Sequence, residues 1–179
     1  MLKQVGFGLC AISALALVGC SDDDPAPTTK GPGAALECTS SGKNAFDTYG
    51  ATAFVAVNKA IFAEVTAEST ANGTTNLGDS FTRVMDGARF EGRLAAFLVF
   101  AYGGPTSITY TDGQTYEGST QNMAEAHAGM NITTAQYDYF VTNIIVPALT
   151  KSGVPADDVS SCFAPIVADA GFKATIVGQ

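Results

Sequence analysis

The sequence predicts an all-α domain, and three apolar periodicities predict it. Residues 53–67 carry Phe54, Val57, Ile61, Phe62 and Val65 at close to helical spacing. Residues 89–102 repeat the pattern with Phe90, Leu94, Phe97, Leu98 and Ala101. A third stripe follows, with Tyr137, Phe140, Ile144, Ile145 and Leu149.

The chain opens with a leader rather than with the fold. Lys3 supplies a positive start, residues 5–19 are apolar, and Leu17-Val18-Gly19-Cys20 follows. A charged start, a short apolar core and small residues at the cut mark a secretory signal. The cysteine directly after the small residue makes it similar to a bacterial lipoprotein signal. Residues 1–19 would then be removed and Cys20 acylated. The competing readings, a plain signal or a membrane anchor, fit less well, because the run is short of the ~20 residues a span needs. Ser21 after the lipidated cysteine suits sorting to the outer membrane. Residues 20–37, rich in Asp, Pro, Thr and Gly, are expected to be a flexible tether. Residues 38–179 form one domain of ordinary size.

Net charge is −8, and loss of the segment bearing Lys3 makes it one unit more negative. An acidic surface argues against nucleic acid and against anionic headgroups as partners. Membrane attachment would come from the lipid, at the bacterial cell envelope. Cys10 leaves with the leader and Cys20 is the lipid site. Cys38 and Cys162 then either form one disulfide or stay two free thiols; an exported compartment favours the bond.

Within the domain, residues 73–78 read as a turn-rich break. Residues 77–85 read as a short helical turn carrying Phe81. Gly103-Gly104-Pro105 stops the second long helix. Residues 106–121 are a polar loop or, through Ile108 to Tyr110 and the Asp112-Gly113 pair, a small hairpin. Residues 123–129 form a short helix. Thr133 and Gln136 fit a capping box opening the next one, which Pro147 should kink. Pro155, Asp157 and Asp158 open the last helix, the carboxylates suiting its positive end.

His127 is the only histidine. Imidazole is the commonest metal ligand, so histidine chemistry, if any, sits here. A lone helical histidine is by default a surface or satisfied core residue. Paired cysteines at zinc spacing, a phosphate-cradling loop and a support for a serine or cysteine triad are all missing from the sequence.

The domain resembles the truncated haemoglobins, most closely the group I type, over about residues 46–177. The resemblance rests on the order of several motifs. These are the Gly50 turn, Phe81, and Ala101-Tyr102-Gly103-Gly104-Pro105. Tyr116-Glu117-Gly118, Met123, Ala126-His127-Ala128-Gly129 and Ile132-Thr133 follow. Gly153-Val154-Pro155 and Ala164-Pro165 complete the set. It implies a helical sandwich around haem, with His127 as the proximal iron ligand and a diatomic gas (oxygen, nitric oxide or carbon monoxide) opposite. Phe81 would pack on the porphyrin, and Phe62, Phe90 and Leu94 would cover the distal face. Arg93 would reach a propionate. Met123, one turn before His127, reads as a packing residue of the site rather than an axial ligand.

The sequence departs from the family pattern at the distal face. Many group I members have tyrosine where this chain has Phe62 and glutamine where it has Leu94. Neither residue here can hydrogen-bond a bound gas. The implied iron is five-coordinate or water-ligated, with fast oxygen release. Nitric oxide or redox chemistry would need an unknown reductant. Residues 106–115 look like an insertion. The alternative from another class is a haem-free, globin-like envelope lipoprotein serving as a structural or partner-binding module. A sensor or electron carrier is a third reading.

Overall fold

The computed structural model describes residues 30–81, 87–120 and 123–179. The leader, Cys20 and most of the expected tether lie outside them, as do residues 82–85 of the expected Phe81 turn. The described chain is mostly helical, with one two-stranded hairpin. No helix among the described residues is long and apolar enough to cross a membrane.

Helix α1 spans Ala45–Asn72, starting earlier than the apolar stripe alone suggests. The Asn44 side chain opens it by accepting from the Asp47 amide at 2.7 Å, which satisfies an orphan donor of the first turn. The helix is broken at Gly50, whose φ of 74° is costly for any residue with a Cβ. Beyond the break, Phe54, Val57, Ile61 and Val65 enter the core. Helix α2 spans Gly87–Ala101 and buries Ala95, Leu98, Val99 and Ala101. Helix α1 packs against both α2 and α5 (Val146–Lys151). Phe54 sits amid the core aromatics, its ring 5.8 Å from Tyr102 and 6.1 Å from both Phe46 and Phe163. Burial drives the Tyr102 phenol well above its ordinary pKa, and its hydroxyl donates to the Phe163 carbonyl at 3.2 Å.

The hairpin reading of residues 106–121 is the one observed. Strands β1 (Ser107–Thr109) and β2 (Thr115–Glu117) pair antiparallel with Ile108 opposite Tyr116. The pair lies on α2: a Cβ on Gly92 would come 2.3 Å from the Tyr116 ring.

Helix α3 spans Met123–His127, and α4 (Thr134–Phe140) begins with the expected capping box between Thr133 and Gln136. Pro147 does not simply kink the helix that follows. A π-turn over Val141–Ile145 precedes it, with the Val146 amide bonded five residues back to Val141. The same device precedes Pro165: residues Val159–Phe163 form a π-turn between α6 (Ala156–Asp158) and α7 (Ala164–Ala168). A proline ring clashes with the carbonyl four residues back, and widening the turn relieves that clash. The expected last helix is also cut at Asp169, extended at ψ 127°, whose carboxylate then caps α8 (Ala170–Ala174) through the Phe172 amide at 2.7 Å.

Two further expectations need correction. Residues 77–81 are turn, not helix, with Leu77 buried and Phe81 half-buried. The tether ends earlier than residue 37. Residues 31–36 pack on the C-terminal end of α2, with a 3-10 turn at Pro32–Ala35. A Cβ on Gly31 would lie 1.8 Å from the Phe100 carbonyl oxygen, and one on Gly33 would lie 2.7 Å from that of Ala101. Those glycines serve close backbone approach rather than looseness.

The N-terminal segment is also joined to the end of the fold. Cys38 and Cys162 form a disulfide. Beside it Asp158 is fully buried rather than facing solvent at a helix start. Its carboxylate accepts from the Ser40 amide at 2.8 Å, the Ser40 hydroxyl and the Tyr49 hydroxyl. Burial alone would raise the pKa of Asp158, but these bonds outweigh it and hold the group below its ordinary value. Burial and the Asp158 carboxylate push Tyr49 up to about 12. A depressed folded-state pKa contributes stability above the unfolded value, near ~3.9, and that contribution is lost as pH falls through the folded value. Asp158→Asn is therefore expected to cost about 2 kcal/mol at neutral pH. It should also flatten the loss of stability below about pH 4. Urea unfolding at pH 7 and pH 3 checks it; parallel pH dependence in parent and variant would refute it.

Candidate functional site

Glycine and an unusual backbone end α3 promptly. Gly129 has φ 75° and Asn131 φ 51°, which turns the chain sharply after His127. The last two residues then clip the loop: the Asn131 amide donates to the Gln179 carbonyl and the Gly178 amide to that of Ile132. Helix α3 itself buries no residue, and His127 is half-exposed.

The His127 ring is oriented by its own helix. Its Nδ1 lies 2.7 Å from the Met123 carbonyl oxygen, one turn back. A carbonyl can only accept, so Nδ1 carries the hydrogen and donates. In the neutral ring the lone pair is then on Nε2. A partner of this kind on one ring nitrogen is what sets which nitrogen is open to a metal. Met123 thus acts through its backbone, and its side chain is partly exposed.

The aromatic residues singled out above fall into contact pairs. Phe62 and Phe90 meet edge to face at 5.4 Å and 78°, joining α1 to α2. Phe62 and Phe81 line one open cleft of about 390 Å³ with Val65, Thr66, Ser69, Thr70 and Gly78. That volume suits a small-molecule site, roughly 300–1,000 Å³. Phe81 also meets Phe140 of α4 at 5.4 Å. Leu94 is half-buried against the core, and Arg93 beside it is exposed. The described lining of this cleft does not reach His127.

Several residues of this region were not legible as such. Phe97 stacks on Phe172 at 6.0 Å and 11°, but Phe172 lies beyond the break at Asp169, where periodicity gives no signal. Glu68 gathers the turn that follows α1: its carboxylate accepts from Asn72, Asn76 and Tyr139. The Asn76 bond leads in holding its pKa below the ordinary value. Asn58 sits at a core position of the α1 stripe, between Val57 and Ile61, and a polar residue there was the available signal.

No cluster of three or more metal-ligating side chains occurs among the described residues. A haem site asks less of the chain, because the porphyrin supplies the equatorial nitrogens and one imidazole suffices. By residue type, an imidazole with one ring nitrogen tied to a carbonyl, a cleft with aromatic walls and an exposed arginine suit that group, but the described lining of the cleft includes neither His127 nor Arg93. No family model matches this chain, and no curated protein matches it.

Proposed function

We propose that this chain is a haem protein of the truncated-globin type that binds a diatomic gas, tethered to a bacterial envelope by lipid on Cys20. The observation that carries the reading is the His127 ring, with Nδ1 tied to the Met123 carbonyl and Nε2 left for iron. The half-buried aromatic set around α1, α2 and α4 supports it.

Haem, when bound, supplies an iron whose sixth position takes the gas. The chain's residues do the rest. The Met123 carbonyl would hold the orientation of the His127 ring as a ligand. Phe81 would pack on the macrocycle, and Arg93 would pair with a propionate. Phe62, Phe90 and Leu94 exclude water and offer no hydrogen bond, so a gas gains no polar stabilisation from them. The expected consequence is rapid oxygen release. Any turnover chemistry would depend on an external reductant.

The test is an absorption spectrum of the full-length chain purified with haem supplied during expression. A strong Soret band at stoichiometric haem, shifted when carbon monoxide is added to the reduced form, is the expected result. Folded protein without stoichiometric haem would sink this reading and leave the haem-free envelope module.

A further inference from the structure

Asn58 of α1 is fully buried, and its Oδ1 is a buried oxygen without a partner among the described residues. An unpaired buried carbonyl is destabilising, a penalty that an apolar side chain of the same branched shape would not incur. Stability is therefore a poor account of why an amide sits there. What the amide does is join three elements. Its Nδ2 donates to the Glu91 carbonyl oxygen of α2 at 3.0 Å and to the Tyr110 hydroxyl at 3.4 Å. The Tyr110 hydroxyl in turn donates to the Glu91 carboxylate at 3.2 Å. Tyr110 follows β1 and is buried, so the hairpin is wedged against the α1–α2 contact. Burial, with a contribution from the Glu91 carboxylate, holds the Tyr110 phenol above its ordinary pKa and keeps it a donor.

The clamp lies one step from the apolar wall. Phe62 is one turn after Asn58 on the same face, and Phe90 is adjacent to Glu91. We infer that Asn58 and Tyr110 are positioning residues that set the Phe62–Phe90 contact and so control access of a diatomic ligand to the open side of the haem. This rests on the haem reading for its ligand, though the clamp itself does not. It also gives the inserted residues 106–115 a task, as the brace that carries Tyr110 to the helices.

Two variants of the full-length chain separate positioning from mere support. Asn58→Leu removes the clamp together with the orphan oxygen, and Tyr110→Phe removes only the hydroxyl, which keeps the test available if the first fails to fold. In haem-free chain labelled with 4-fluorophenylalanine, the Phe90 resonance, assigned with Phe90→Leu, should move in both variants towards its position in Phe62→Leu. In haem-loaded chain, carbon monoxide rebinding after photolysis should speed up by about tenfold in Asn58→Leu, with the unfolding midpoint near the parent's. An unmoved fluorine resonance, or a rate changed by less than about twofold, would overturn the clamp. A parent that takes up no haem defeats the proposed function instead, and the fluorine result then decides the clamp alone.

Discussion

Removing the Cys38–Cys162 bond is expected to lower the unfolding free energy by about 5 kcal/mol, the largest stability change available to a single covalent edit here. The bond closes a loop of sequence separation 124, and a longer loop means more chain entropy removed from the unfolded state. Domains have only about 5–15 kcal/mol in hand, so a loss of this size takes a third or more of the total. Both cysteines are fully buried, so a reductant should act mainly on opened molecules. The native contacts around the bond, Ser40 with Asp158 and Thr39 with Ser161, do not depend on it covalently and are expected to hold the folded state in place after reduction. They do nothing for the unfolded ensemble, which is where the bond acts. Urea unfolding of the parent, with and without reductant, and of Cys38→Ala/Cys162→Ala measures the difference. The slope should also rise, because an uncrosslinked chain exposes more surface. A change below about 1 kcal/mol would show that the reduced unfolded state is already compact around these two ends.

How much of the fold is legible in the sequence depends on how local its causes are. The long helices read directly, because Phe54 to Val65 and Phe90 to Ala101 place their apolar side chains by period alone. The Thr133–Gln136 cap is just as local, two side chains serving two amides three residues apart. Pro147 signals a disturbance but not its form: whether a helix bends or widens is decided by what it packs against. Gly31 and Gly33 mislead for a similar reason. Glycine permits both looseness and close approach, and only the backbone of Phe100 and Ala101 chooses between them. Asp158 misleads most. Near a helix start a carboxylate looks like a dipole partner, yet its donors, Ser40 and Tyr49, stand 118 and 109 residues away. At the candidate site the asymmetry is the same. His127 stands out as a lone histidine, while the Asn58 clamp depends on a hairpin whose docking no periodicity encodes.

His127→Gly is expected to abolish stoichiometric haem, and added imidazole to restore a Soret band. The bland account of this histidine is specific too. A ring at the end of α3 that donates to the carbonyl of Met123, the first residue of the helix, ties that short turn together and needs no ligand to explain it. On that account, replacement with glycine frays five residues that bury nothing, and the spectrum of the chain does not change. Under the proposed function the same bond has a second effect, because it leaves Nε2 as the free nitrogen of the neutral ring. Removing the ring then removes the iron's protein ligand. The space left where it stood can be refilled by free imidazole, since nothing covalent is needed beyond the nitrogen lone pair. Rescue separates the two accounts, because free imidazole cannot mend a frayed helix. A His127→Gly chain that keeps the parent's spectrum, or loses it without recovery in imidazole, would remove His127 from the iron. The ligand would then have to be sought elsewhere in a sequence that has no other histidine.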